Sequence, residues 1–301
     1  MTDTALVLGE ALVDIVPSGS GVAEHPGGSP LNVAVGLGRL GHAVTLGTWI
    51  GDDPRGRAIL DHLAASGVTV LPGSTGAPRT SSASVAFDAA GTAHYTFDLT
   101  WELPPLPAAT PLVAHTGSIG AALHPGADSV LAALRALQPT TSISYDPNTR
   151  PQIMDRDQVL PLAEAFVALA DVVKASDEDL AWLYPGVPPE TAARAWLDTG
   201  PSLVILTQGP AGVVGLTRTL RIAHPAPSVT VADTVGAGDA FMAGLLHGLW
   251  QADLLGANRR TALGQLDSPT LAHLLELASA VAAITLSRPG ADPPRLAELT
   301  A

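Results

Sequence analysis

Cysteine is missing from all 301 residues. That absence excludes disulfide cross-links, thiolate nucleophiles and cysteine-ligated zinc. Lysine is nearly missing as well, because Lys174 is the only one. Lys and Arg together number 15 against 28 Asp and Glu, a formal net charge of −13. Nucleic acid is therefore not an expected partner, since its phosphate backbone binds clustered cations. A small anionic ligand remains open to backbone N–H groups and a metal, and any catalytic cation must be Lys174, an arginine or that metal. Aromatic residues make up 4% of the chain, which leaves little surface for stacking a base. No HExxH pattern is present, and His42, His62 and His115 are scattered. Asp3, not a basic segment, precedes the apolar run Ala5–Leu8, so no signal peptide is expected. The apolar stretch Leu271–Leu286 holds His273 and Glu276 and is short for a bilayer span. A cytoplasmic protein without a membrane partner is the expectation.

Apolar residues are plentiful, at 47%, enough to bury the core of one large domain over 1–301. Short β-prone runs at Ala5–Leu8, Val44–Ile50, Val68–Val70, Leu112–Thr116, Ser142–Asp146, Val172–Lys174 and Leu203–Thr207 predict strands. Several are apolar throughout, as a sheet covered on both faces requires. Helical patterns fall between them at Arg57–Ala65, Ser129–Leu137, Val159–Leu169, Glu178–Tyr184 and Glu190–Asp198, with longer ones at Gly236–Leu249 and Leu271–Leu286. The alternation predicts an α/β sandwich with a mostly parallel sheet. Two segments break the rhythm. Ile15–Pro26 is polar and carries SGSG, and Ser82–Leu99 reads as a hairpin with Val85, Phe87, Tyr95 and Phe97 alternating around a turn-like AAGTA. These two segments are expected to pair outside the main sheet as a lid built from about 12–34 and 78–103.

Gly36, Gly38 and Gly41 satisfy the dinucleotide pattern GxGxxG in form only. A dinucleotide fingerprint lies between a strand and its helix, whereas these glycines fall inside one helical pattern. Close helix packing, with Gly41 ending the helix, is expected instead. Gly27-Gly28-Ser29-Pro30-Leu31-Asn32 is more suggestive. Its glycines let backbone approach a ligand, Pro30 suits a helix start, and Asn32 offers both donor and acceptor to a polyol. Asp14 can accept bonds from two adjacent hydroxyls. Together they form a polar set near the mouth of the sheet, where open α/β folds bind ligands.

The ten residues Ala232–Phe241, ADTVGAGDAF, say most about chemistry. The small residues of Val-Gly-Ala-Gly expose N–H groups where a helix begins, and Asp239 stands in its first turn. Unpaired N–H groups and the positive end of a helix dipole form an anion site. A carboxylate beside that site is placed to take a proton from a hydroxyl that attacks phosphorus.

With GGSPLNVAVGLGRLG at Gly27–Gly41 and DTVGAGDAF at Asp233–Phe241, the chain resembles the ribokinase-like carbohydrate kinases, the PfkB family. The resemblance runs over essentially the whole chain and implies a three-layer α/β/α sandwich with a small β-sheet lid. It implies that Asp239 is the general base, that Gly236, Ala237 and Gly238 form the anion hole, and that Asp14, Gly28 and Asn32 contact the sugar. It also places a monovalent cation, often potassium, at Asp233 and the carbonyl of Val235. On the nucleotide side, Thr207, Gly209 and Gly212 resemble the T-x-G-x-x-G turn, with Lys174 and Ser176 nearby. Ser176-Asp-Glu-Asp179 sits where members carry Asn-x-x-Glu or Ser-x-x-Glu, a motif that organises magnesium through water. Asp179 keeps the spacing and Glu178 keeps the reach. Asp146-Pro-Asn148-Thr-Arg150 resembles the DxNxR stretch of fructokinase-like members, and Ser287–Ala291 resembles the loop after the nucleotide-side helix.

The implied reaction moves the γ-phosphoryl of ATP to a primary sugar hydroxyl, with Mg2+ bridging phosphate oxygens and a closing lid excluding water. Arg150, Arg79 and Phe97 are candidate substrate contacts. Fructose is the first choice of substrate, and 2-keto-3-deoxygluconate is next, because an arginine holds a carboxylate in bidentate fashion. Ribose and adenosine-like nucleosides follow. A homodimer through exposed lid edges is also anticipated. A non-catalytic sugar-sensing relative and an NAD-dependent oxidoreductase are the readings from other classes.

Overall fold

The computed structural model describes residues 2–18, 21–87, 93–108 and 110–299. Its strands, in chain order, are β1 Thr2–Leu8, β2 Leu12–Ser18, β3 Gly21–Gly27, β4 Ala43–Gly47, β5 Val68–Val70, β6 Ser82–Phe87, β7 Ala93–Asp98, β8 Pro111–Gly117, β9 Ser142–Asp146, β10 Val172–Ser176, β11 Leu203–Thr207, β12 Val213–Leu216 and β13 Arg221–His224. Its helices are α1 Ser29–Arg39, α2 Pro54–Ala65, α3 Gly126–Leu137, α4 Arg156–Leu169, α5 Asp177–Leu183, α6 Pro189–Leu197, α7 Ala237–Gln251, α8 Arg260–Leu263, α9 Ser268–Leu286 and α10 Leu296–Leu299.

Nine strands form the central sheet in the order β13-β12-β11-β10-β9-β8-β1-β4-β5. The pairings from β11 across to β5 are parallel, joined by helical crossovers. Strands β12 and β13 close one edge in antiparallel fashion. The sequence reading named neither strand: β12 is short and interrupted by Gly215, and β13 carries no buried residue to mark it.

Apolar residues run continuously along the central strands because both faces are covered. Ala5 and Val7 face a core shared with α1, α7 and α9, and Leu6 and Leu8 face one shared with α3, α4, α5 and α6. This is the expected three-layer sandwich. Helices α7 and α9 pack closely because Gly244 and Gly248 remove side chains at the crossing. A Cβ on Gly244 would stand 2.9 Å from Ala278 Cα, and one on Gly248 would stand 2.8 Å from Leu274 Cδ2. Leu245, Leu249, Leu271 and Leu275 are fully buried around that crossing. Each such leucine contributes about 1.5–3 kcal/mol. The apolar stretch flagged at Leu271–Leu286 is the greater part of α9.

The GxGxxG of α1 is a packing feature, as expected. A Cβ on Gly36 would meet Ala243 Cβ at 2.6 Å, and one on Gly38 would meet Ser66 O at 2.3 Å. Gly41, with φ +90°, ends the turn after the helix.

The second sheet has the order β3-β2-β6-β7, built from two hairpins joined by a parallel β2–β6 pairing. Its strands end at Gly27 and begin again at Ser82, so the lid is narrower than the spans 12–34 and 78–103. Helix α1 belongs to the large body, where residues 29–37 are buried against its core. The side chains of Phe87 and Tyr95, and residues 89–92 of the turn expected at 89–93, lie outside the described residues, while Ala93 opens β7.

Candidate active site

The parallel strands end on one side of the sheet, and a cavity of about 840 Å³ opens there beneath the lid. Its floor comes from residues just past β1, β8 and β9 and from Lys174 on β10, its wall from the start of α7, and its roof from β2, β6 and β7. Strand order turns around β1, with β4 on one side and β8 on the other. That is the position at which open α/β sheets hold ligands.

Asp239 lies at the centre, in the first turn of α7, and is 6% exposed. Three donors converge on it. Ser29 Oγ donates to Oδ1 at 2.6 Å, Asn32 Nδ2 donates to Oδ2 at 2.8 Å, and Asn148 Nδ2 reaches Oδ1 at 3.4 Å. Residues more than 200 positions apart therefore fix one carboxylate, because α1 and α7 pack side by side. Before Asp239, the chain turns through Gly236 in the left-handed region at φ +73°. A Cβ there would collide with Ala291 Cβ at 2.5 Å, so the close approach requires glycine. Gly236 and Gly238 line the cavity beside Asp239, and Ala237 opens the helix between them.

The sugar candidates gather at the lid end. Asp14 on β2, Gly28, Asn32, Phe97 on β7 and Arg150 all line the cavity. Gly28 has φ +112°, and a Cβ on it would meet the Glu10 carbonyl oxygen at 2.7 Å. Burial pushes the Asp14 carboxyl above its ordinary value, against a downward pull from Arg150 and His25. Arg150 Nη1 donates to Asn148 Oδ1 at 2.5 Å and to the carbonyls of Asn148 and Thr149 at 3.0 Å. It thereby orients the amide that faces Asp239. Arg79 is not brought to the site. Its guanidinium forms an ion pair with Asp98 on the outside of the lid, Nε to Oδ2 at 2.7 Å, and it does not line the cavity.

At the opposite end, Asp233 and Val235 line the cavity. Asp233 accepts from the N–H groups of Val235 at 3.1 Å and Gly290 at 2.9 Å, which hold its carboxyl below the usual range. Lys174 is buried on β10 and pairs with Asp146 Oδ2 at 2.8 Å. Its ammonium lies 3.5 Å from where a Cβ on Gly238 would stand.

The remaining nucleotide-side candidates sit outside the cavity lining but at the same end of neighbouring strands. Ser176 ends β10 directly opposite Thr207, which ends β11. Gly209 and Gly212 both have positive φ, and Gln208 N bonds Gly212 O at 2.8 Å to close that turn. Ser176 and Asp179 form a capping box for α5. Asp179 Oδ2 accepts from Ser176 N and Oγ, and Oδ1 accepts from Thr149 N and Oγ1, all within 2.9 Å. Glu178 beside it is exposed.

Three residues of this site went unassigned in the sequence. Ser29 was readable as a polar residue between Gly28 and the helix-starting Pro30. Asn148 lay inside the DxNxR stretch. Glu10, 5% exposed and lining the cavity, directly follows the first strand, where an acid in a parallel α/β sheet is a signal in itself. Its Oε2 accepts the Gly120 N–H at 2.7 Å, and burial drives its carboxyl up to about 7.

The pfkB family carbohydrate kinase pattern matches residues 4–297. A fructokinase of Rhizobium leguminosarum bv. trifolii is 36% identical over 265 residues, 83% of this chain and 81% of that protein. The crystal structure of a Xylella fastidiosa fructokinase with bound ATP superposes with a TM-score of 0.86 at 27% identity, covering 100% of this chain and 98% of that one. A Vibrio cholerae O395 fructokinase with fructose, ADP and calcium bound superposes at 0.80, also 27% identical, over 99% and 98%. The two glycine-rich motifs meet at Asp239 within a fold that these kinases share from end to end. This chain belongs to the pfkB family of carbohydrate kinases and is an ATP-dependent sugar kinase.

Proposed function

We propose that the sugar is fructose and that Asp239 is the general base. The observation that carries this reading is the single carboxylate held by Ser29, Asn32 and Asn148 at the edge of the Gly236–Gly238 turn. An acceptor hydroxyl seated between Asp14 and Asp239 gives its proton to Asp239 as its oxygen attacks the γ-phosphorus in line. The N–H groups of Gly236, Ala237 and Gly238 then receive the charge on the phosphoryl oxygens. Fixed donors of this kind need no reorganisation as charge develops. Closure of the lid over the cavity keeps water from competing as acceptor.

Charge favours a neutral sugar over a sugar acid. Glu10, Asp14 and Asp239 line the cavity, whereas Lys174 is already paired with Asp146 and Arg150 is partly spent on backbone oxygens. A carboxylate substrate would meet more negative than positive charge. Phe97 offers one apolar face to a sugar ring.

The ion requirements fit the donor set. No group of three His, Asp or Glu side chains is placed to hold a metal among the described residues. Mg2+ then takes most of its ligands from phosphate oxygens and water, as it does in sites without an all-protein cage. Asp179 is filled by four protein donors, which leaves Glu178 as the free carboxylate of that motif. Bound there, the ion would neutralise phosphate charge. Potassium at Asp233 and the Val235 carbonyl would tune the cradle without touching the sugar. The outer strands β3 and β7 of the lid sheet offer edges through which two copies would pair as a homodimer, and a cysteine-free chain suits the reducing cytoplasm.

The test is sugar-dependent ADP formation across fructose, ribose, 2-keto-3-deoxygluconate and nucleosides, with and without potassium. Fructose is expected to give the highest kcat/KM. Preference for the sugar acid would overturn the charge argument, and sugar binding without turnover would favour a sensor.

A further inference from the structure

Lys174 and Asp146 form an ion pair that is almost completely shielded, their side chains 5% and 1% exposed. Such a pair is a poor stabilising device, because desolvating two charges offsets most of their attraction. Its placement suggests another use. Lys174 stands on β10 and Asp146 at the end of β9, and the ammonium comes within 3.5 Å of where a Cβ on Gly238, in the first turn of α7, would stand. The ammonium lines the cavity under Gly238, the last residue of the cradle. An ammonium has three donors, and Asp146 accounts for one. Neither Asp146 oxygen has a hydrogen-bond donor besides that ion pair. Behind the pair, His115 is buried with Nδ1 on Ser144 Oγ at 2.9 Å, and burial together with Lys174 holds it neutral, down to about 3. Lys174 is therefore a buried positive charge beside the cradle, faced by Asp146, Asp179 and Asp239.

We propose that Lys174 is a catalytic residue whose ammonium, held beneath Gly238 by Asp146 as a positioning residue, contacts the transferred phosphoryl group. The proposal deepens the kinase reading given above and rests on it. In the transfer, the bond from the sugar oxygen to the γ-phosphorus forms as the bond from phosphorus to the β,γ-bridging oxygen breaks. The electron pair of the broken bond leaves with ADP, and the sugar proton goes to Asp239. Lys174 gives up no proton. It compensates the charge that the equatorial oxygens carry during transfer, as fixed cations do in phosphoryl transfer. The same chain segment delivers Asp146 to Lys174 and Asn148 to Asp239, so cation and base are placed by residues two positions apart.

Because Lys174 is the only lysine, protein labelled at lysine 13Cε gives a single side-chain resonance. That resonance is expected to shift on adding a β,γ-methylene ATP analogue with Mg2+, and to move far less on adding ADP. Equal shifts with both nucleotides, or none with the analogue, would overturn the proposal. The second arm compares K174M with the double variant D146N/K174M, which removes both buried charges. Both are expected to lose about 10²-fold in kcat, with sugar KM within about threefold, while the double variant recovers wild-type thermal stability. Recovery of activity along with stability would make the pair structural and overturn the proposal. Sugar-dependent ADP formation by the labelled wild type is measured on the same sample, so failure of the kinase reading itself is seen separately.

Discussion

Asn32 donates from Nδ2 to Asp239 Oδ2 at 2.8 Å, joining the N-terminal glycine motif to the C-terminal one. Each motif alone is a helix start, and together they fix the carboxylate proposed as the base beside the proposed phosphate cradle. Asn32→Ala removes one of the three donors on a buried carboxylate, a bond of the charged class worth about 1.5–3 kcal/mol. A fall in kcat/KM for the sugar of about 10- to 100-fold is expected, with ATP binding little changed. Steady-state kinetics in both substrates checks this, and equal losses for sugar and ATP would speak against it.

The two glycines flanking Ala237 should respond differently to a methyl group. Gly236 sits at φ +73° with Ala291 Cβ 2.5 Å from its would-be Cβ, so Gly236→Ala must move the chain. A loss of about 1–2 kcal/mol in stability and most of the activity is expected. Gly238→Ala has ordinary van der Waals room, its nearest neighbour being Lys174 Nζ at 3.5 Å. Stability should hold or rise by up to about 1 kcal/mol, since alanine is the better helix former. Activity should nevertheless fall, because the methyl stands between the cradle and the ammonium. Thermal melts paired with kcat separate the two cases.

The acid motif at the start of α5 holds its carboxylates in two settings, Asp179 buried and bonded and Glu178 exposed. Asp179→Ala frees Ser176 and the Thr149 loop at once and should cost at least about 2 kcal/mol. Glu178→Gln, at an exposed position, should stay within about 0.5 kcal/mol of wild type. Its effect should appear instead as a raised Mg2+ concentration for half-maximal rate. An unchanged Mg2+ dependence would remove Glu178 from the metal network.

Glu10 gives a pH signature. Desolvation holds its carboxyl at about 7 in place of 4.5, so the folded protein binds that proton more tightly than the unfolded chain. Its contribution to stability is full below pH 4.5 and is lost as pH rises through 7. Glu10→Gln is free of this loss. Relative to wild type it should gain stability between pH 4.5 and 7, then keep a constant advantage on the order of 3 kcal/mol. Urea unfolding at pH 5 and pH 8 checks the direction, and a difference that does not grow with pH would contradict it.

The layered fold was legible because apolar runs and helical periods alternate without long interruptions, and the residues proposed as base and cradle stood out because they are contiguous in sequence. What stayed hidden depends on contacts across the chain. Arg79 looked like a substrate contact from its place before the hairpin, yet Asp98 on the neighbouring strand claims it. Asp179 kept the spacing of a metal-organising acid, but only the fold shows Thr149 filling its second oxygen. Ser29 reaches Asp239 across 210 residues, a bond no local pattern encodes. The expected lid span ran to residue 34, into α1, whereas residues 29–37 of that helix are buried in the large body, where Gly36 lets it press against α7.

The most direct test is Asp239→Asn, which keeps the size of the side chain and removes its capacity to take a proton. The account predicts a folded protein that binds fructose as wild type does, with kcat lowered at least about 10²-fold. A variant that turns over within a few-fold of wild type would contradict it.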